Sequence, residues 1–240
     1  MTGSAGAITN GQSDGNRHPY VGLIGFLNPD GTNGALCTGT LVSPTIVVTA
    51  GHCTFRSPRA FVWFDSVALK GPPTSFGVPV THPDFSPTLE VPNTGDLGVV
   101  RLLIPVFMAE YGRLPEAGLL DSLTRKQGLQ DRGVTIVGYG LQSVNPPVFT
   151  GERMMGTAMI RNLVSNNVRG YGVQTSASPG GGNSGTCFGD SGGPILSGSS
   201  NVVVAVNSWG QNAQCVGNDF SYRTDTASAR SFLGQFVPLP

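Results

Sequence analysis

The chain has 240 residues, 35 of them Gly and 18 Pro, and its 14 Lys plus Arg are balanced by 14 Asp plus Glu. Charged residues make up 12%, about half the usual share of about 25%, which excludes the basic face of a nucleic-acid binder and points to a turn-rich all-β protein. Hydrophobic residues at 39% are too many for a disordered chain, and no apolar run approaches the roughly 18 residues of a membrane span.

Residues 1–7 lack the basic and apolar regions of an export signal, and read as a precursor or expression-derived segment. From there short apolar or alternating runs bounded by Gly, Pro, Asn and Ser recur: Val21 to Leu27, Leu36 to Val42, Thr45 to Ala50, Phe61 to Phe64 and Leu97 to Ile104. Between Pro105 and Gly133 the pattern changes. Charges cluster at Glu116, Asp121, Arg125, Lys126, Asp131 and Arg132, and Leu119, Leu120 and Leu123 fall at helical spacing, as in a crossover between two β halves. Strand-like runs resume at Val134 to Tyr139, Met154 to Ile160 and Val202 to Trp209, with a Gly/Ser-rich stretch, Ser176 to Gly185, between the last two. The tail Asp225 to Val237 reads as a helix capped by Asp225, with Ala229, Phe232, Leu233 and Phe236 on one face and Pro238 as its stop.

Cys37, Cys53, Cys187 and Cys215 contain no C-x-x-C pair, which argues against a zinc ribbon or a dithiol redox centre. Chain order divides them into an N-terminal and a C-terminal pair. Cys37–Cys53 and Cys187–Cys215 are the economical disulfides, and they imply an oxidising compartment and secretion.

Gly189-Asp190-Ser191-Gly192-Gly193-Pro194 frames a serine with glycines that permit tight turns and leave Oγ exposed. Such a serine needs a histidine to take its proton and a carboxylate to orient that histidine. His18, His52 and His82 all precede Ser191, so the Ser–Asp–His order of an α/β-hydrolase is unavailable. His52 ends an apolar strand beside Cys53, and Asp96 enters another apolar strand, where a charge requires a partner.

Thr49-Ala50-Gly51-His52-Cys53, the stretch around Asp96, Gly189 to Pro194 and Ser208-Trp209-Gly210 stand in an order that resembles the chymotrypsin-like, trypsin-fold serine peptidases. The resemblance spans about Ile8 to Val237. It implies two antiparallel six-stranded Greek-key β-barrels, with a short C-terminal helix packed on the second. Residues 8–112 would form the N-terminal barrel with His52 and Asp96, and residues 113–240 the crossover, the C-terminal barrel with Ser191, and the helix.

The same resemblance makes Ser191 the nucleophile, His52 the base, Asp96 the orienting carboxylate, and the N–H groups of Gly189 and Ser191 the oxyanion hole. It implies a substrate strand laid along Ser208 to Gly210, and a P1 pocket floored by Gly185 and Thr186, rimmed by Phe188 and open at Gly210. No acid stands at Gly185, so trypsin-like selectivity is disfavoured there. Either Phe220 or Asp219 would form the remaining wall, and an uncharged P1 residue is favoured. Cleavage after Ala7 would free an Ile8 ammonium to pair with Asp190, with an internal cation such as Arg132 as the alternative partner. The implied partners are polypeptide substrates, an activating protease and protein inhibitors, for a monomer without cofactor. The histidines are widely spaced and no acidic Ca²⁺ loop is present, so no metal is expected. The alternative reading is a catalytically silent homologue acting as a binding module.

Overall fold

A computed structural model of the chain describes residues 8–124, 132–178 and 181–240. In chain order the strands begin with β1 (Gln12–Ser13), β2 (Val21–Leu27), β3 (Asn33–Ser43), β4 (Ile46–Thr49), β5 (Ala60–Trp63), β6 (Ser75–Thr81) and β7 (Gly98–Leu102). They continue with β8 (Gly133–Gly138), β9 (Ser143–Val144), β10 (Pro147–Val148), β11 (Met154–Asn162), β12 (Gly172–Ala177), β13 (Pro194–Ser197), β14 (Val203–Gly210) and β15 (Gly217–Arg223).

These strands close into two six-stranded antiparallel barrels. The first has the order β2-β3-β4-β7-β6-β5 with β5 returning to β2, and β4 pairing with the later β7 makes the Greek-key crossing. In the second, β11-β12-β15-β14-β13-β8 closes through β8 and β11, and β1 adds to the outer edge of β11. Aliphatic side chains drive the closure: Leu23, Ile24, Val47, Val62 and Val99 are completely buried in the first barrel, and Val173, Ile195 and Ala205 in the second.

Several strands are longer or more numerous than the apolar runs indicate. Strand β6 carries Gly77 and Pro79, which break a strand pattern. Pairing with β5 has ended before Pro79, so its missing N–H costs no ladder bond. Strand β15 is polar, yet Asp219, Ser221 and Arg223 are buried in it. In the crossover, the leucine spacing becomes a short helix, α2 (Asp121–Thr124), beside buried Leu120; Arg125, Lys126 and Asp131 lie outside the described residues.

Two expectations about the tail are corrected. The helix α3 runs over Ala227–Leu233 and is capped by Thr226, whose hydroxyl accepts the Ala229 N–H. Asp225 instead takes the Arg223 guanidinium and the Leu120 N–H, because a buried arginine needs a charge partner more than a helix end does. Nor does α3 rest on the second barrel alone. Ala229, Phe232 and Leu233 join an apolar cluster that includes first-barrel residues, Phe232 meets the His82 ring at 5.0 Å, and Ser228 donates to Asp84.

Candidate active site

Strand β4 is four buried residues, Ile-Val-Val-Thr, and it ends at a one-turn helix, α1 (Gly51–Thr54), that carries His52. The Cys37–Cys53 disulfide ties this turn to β3. Gly51 lets the turn approach the segment after Asp96, since a Cβ there would stand 3.0 Å from the Leu97 nitrogen. The backbone N–H of His52 donates to Asp96 Oδ1 at 2.7 Å, and its Nδ1 meets Asp96 Oδ2 at 2.8 Å. The Ser208 hydroxyl, from β14 of the other barrel, donates to the same Oδ2.

Asp96 is completely buried, and these three donors replace the water it has lost. Burial lowers the affinity of His52 for a proton, but the hydrogen bond and the charge of Asp96 outweigh it, and the imidazole is held above its ordinary pKa. With Nδ1 engaged, Nε2 is the nitrogen left to face the cleft.

That cleft, about 440 Å³, is lined by His52, Ser191, Thr186, Phe188, Ser208, Trp209 and Gly210 among others. His52 and Ser191 therefore face one space, although no hydrogen bond joins them in this structure; such pairs are often loose until substrate binds. Gly189 holds a φ of +97°, open to glycine at little cost. Among the described residues nothing accepts the N–H of Gly189 or of Ser191, which leaves two donors free beside the hydroxyl. Past Val206 strand β13 no longer pairs with β14, whereas β15 still does, so Ser208 to Gly210 form an edge open on one side.

Two expected cleft residues stand elsewhere. Phe220 lies opposite Trp209 across the β14–β15 pair and stacks on it, with ring centroids 3.8 Å apart, so it supports the outside of the wall and leaves the cleft unfilled. Gly185 lies behind the cleft, exchanging both backbone hydrogen bonds with Thr9 (2.8 and 3.1 Å). Thr186 alone of that pair lines the cleft.

Asn207, Asn212 and Ala213 complete the lining and were not singled out in the sequence. The Cys187–Cys215 bridge was the available signal, because it pins the loop after β14 against the irregular segment that leads to Ser191. Asp219 is the other wall candidate. Its Oδ2 accepts the Thr186 N–H at 2.6 Å, and burial pushes its pKa up to about 6.

Asp190 is 1% exposed and accepts the Gly140 N–H at 2.8 Å and the Cys187 N–H at 2.9 Å. No cation among the described residues pairs with it, Arg132 included, and burial pushes its pKa up to about 7. Ile8 is completely buried in the second-barrel core. Cys37, His52 and Cys53 come together, but both sulfurs are spent in a disulfide, so the group does not suit a metal.

Outside the cleft, His82 is packed among Tyr222 and Phe232 and accepts the Asp84 N–H. His18, which had no partner pattern in the sequence, pairs with buried Asp14.

Comparison with known proteins places the fold. The trypsin family model matches residues 8–232. The chain belongs to the trypsin family. It is 28% identical over 218 residues to a trypsin of Saccharopolyspora erythraea, covering 81% of this chain and 82% of that one. Its fold is similar to that of HL collagenase, with a TM-score of 0.77 at 20% identity over 94% of this chain and 96% of the other. It is also similar to a scabies mite inactivated protease paralogue, with a TM-score of 0.74 at 12% identity and the same two coverages. The trypsin-family chain is thus a chymotrypsin-like serine endopeptidase by descent.

Proposed function

We propose that this trypsin-family chain is a secreted serine endopeptidase in which Ser191, His52 and Asp96 act as a catalytic triad. The observation that carries the reading is the doubly hydrogen-bonded Asp96–His52 pair facing a cleft that also holds Ser191. His52 Nε2 takes the Ser191 proton as Oγ attacks the scissile carbonyl, and the free N–H groups of Gly189 and Ser191 receive the developing oxyanion. His52 then gives the proton to the leaving amine, and an acyl-enzyme remains for water to hydrolyse. The substrate backbone adds as a strand to Ser208–Gly210. Asp96 keeps the imidazole in the Nδ1–H tautomer throughout.

Activation fits the same framework. Cleavage after Ala7 would free the Ile8 ammonium, and buried Asp190, which has no cation partner among the described residues, is suited to receive it. That pairing would order the loop of Gly189 and Ser191. The two disulfides favour an oxidising, extracellular setting, where an activating protease and protein inhibitors are the expected partners besides polypeptide substrates.

The test is the intact mass after incubation with an uncharged fluorophosphonate, on the full chain and on a form beginning at Ile8. Labelling of the Ile8 form that is lost in Ser191→Ala supports the triad, and weaker labelling of the full chain supports the switch. A folded Ile8 form that stays unlabelled would instead make the chain a silent, groove-binding homologue.

A further inference from the structure

We propose that Thr186 and Asn207 make the cleft select a neutral carboxamide at P1, glutamine or asparagine. This rests on the endopeptidase reading above and assigns its substrate class.

Strand β14 runs Val-Val-Ala-Val before it reaches Asn207, so a carboxamide interrupts an aliphatic strand of the second barrel. Its backbone is pinned beside the reactive serine: the Asn207 N–H donates to Gly193 O at 2.9 Å, and its carbonyl accepts the Gly192 N–H at 2.8 Å. Its side-chain Oδ1 accepts the Thr186 hydroxyl at 2.9 Å. Thr186 is fixed in turn by its N–H, which donates to Asp219. Both residues line the same cleft as His52 and Ser191, yet they are only 5% and 4% exposed. What remains open of them therefore opens into the cleft.

This pair leaves two hydrogen-bonding functions unused. The Asn207 Nδ2 hydrogens have no acceptor among the described residues, and no donor there reaches Thr186 Oγ1. Nor is Nδ2 sealed off from the cleft, as the unpartnered hydroxyls of Thr40 and Ser221 are sealed in the interior. One donor and one acceptor thus stand side by side. With the Asn207 amide turned over, the donor would be the Thr186 hydroxyl and the acceptor Asn207 Oδ1, so the complement stays the same.

A carboxamide answers both groups, its oxygen accepting from Asn207 Nδ2 while its nitrogen donates to Thr186 Oγ1. An apolar side chain would strip water from both and return no bond. Glutamate would bring like charge toward the buried Asp219 and Asp190 carboxylates, which hold the N–H groups of Thr186 and Cys187 from behind. Lysine or arginine carries donors only, and would set them against the Asn207 amide hydrogens.

The experiment uses the Ile8 form and matched peptide substrates that differ only at P1 (Gln, Asn, Glu, Met, Arg), on the parent, on Asn207→Leu and on Thr186→Val. Valine keeps the shape of threonine and its backbone N–H, so it decides the matter if Asn207→Leu folds poorly. In the parent the better carboxamide substrate should exceed Glu, Met and Arg at least about tenfold in kcat/KM, and its ratio to Met should fall about tenfold in each variant. A parent that prefers Met, Glu or Arg would overturn the proposal, as would a carboxamide-to-Met ratio that Thr186→Val leaves unchanged. Fluorophosphonate labelling separates the two readings. A labelled enzyme without carboxamide preference sinks only the roles of Thr186 and Asn207, whereas an unlabelled one removes the endopeptidase reading and this inference with it.

Discussion

Arg153 Nε donates to Asp14 Oδ2 at 2.9 Å with both side chains completely buried. The same guanidinium reaches Val21 O and Phe64 O of the first barrel, Tyr139 Oη of the second, and Asn16 Oδ1 of the N-terminal segment. It is the polar rivet between three parts of the molecule. Arg153→Met should leave the buried Asp14 carboxylate with His18 as its remaining ionisable partner among the described residues and lower the unfolding free energy by about 3 kcal/mol, read from urea denaturation. Arg153→Lys should recover little, because one ammonium cannot reproduce the planar fork. The double variant Asp14→Asn, Arg153→Met should be more stable than Arg153→Met alone.

Under the proposed activation, Asp190 should make stability depend on whether the chain has been cut. In the uncut chain its pKa is raised to about 7, so the folded state binds a proton that the unfolded state releases near pH 4. That contribution is present at low pH and is lost as pH rises through about 7. A freed Ile8 ammonium would lower the pKa and remove the loss. The urea midpoint should fall between pH 4 and 7 more steeply for the full chain than for the Ile8 form. Coincident curves would argue against the switch. Asp219 contributes to both forms, so the difference between the curves isolates Asp190.

Ser208→Ala should shift a pH–rate profile. Its hydroxyl shares the Asp96 oxygen that His52 uses, and removing it leaves that carboxylate more charge for the imidazolium. The His52 pKa, already raised, should climb further by some tenths of a unit to about one. Because His52 must be neutral to act as a base, the acid limb of kcat/KM should move to higher pH by that amount. An unmoved limb would show that Ser208 merely packs.

Phe220→Ala should remove the stacked support of Trp209. A loss of about 3–5 kcal/mol in stability is expected for deleting a buried aromatic ring, together with a higher KM for extended peptides as the Ser208–Gly210 edge loosens. The order of preference among peptides that differ only at the residue before the scissile bond should stay as in the parent, since the ring does not face the cleft; a changed order would contradict that placement.

The parts of the site legible in the sequence were those where chemistry demands particular residue types. A glycine-framed serine, a histidine beside a cysteine and an acid entering an apolar strand each stand out locally, and the fold brings the first two to one cleft with the acid buried behind the histidine. The barrels were legible where aliphatic runs alternate. They were illegible at β15, because Asp219 and Arg223 are interior residues held in part by groups far away in the chain, the Thr186 N–H and Asp121. Phe220 was misplaced for a related reason. Position in a loop-to-strand stretch does not say which face a residue takes, and a shift of register by one residue exchanges the cleft for the outer surface. Thr226 displaced Asp225 as the helix cap because Arg223 had the stronger claim on the acid.

The docking of α3 across both barrels bears on how the enzyme is made. Its residues follow every strand in chain order, and they pack against His82 and Asp84 of the first barrel while Arg230 holds Pro115 O in the crossover. During synthesis the two halves that carry His52 and Ser191 are complete before this latch exists. Arg153 and Ser208 already tie the barrels together, and the helix adds the last of these ties, so the packing that holds His52 and Ser191 to one cleft is completed only once residues 227–233 have been made.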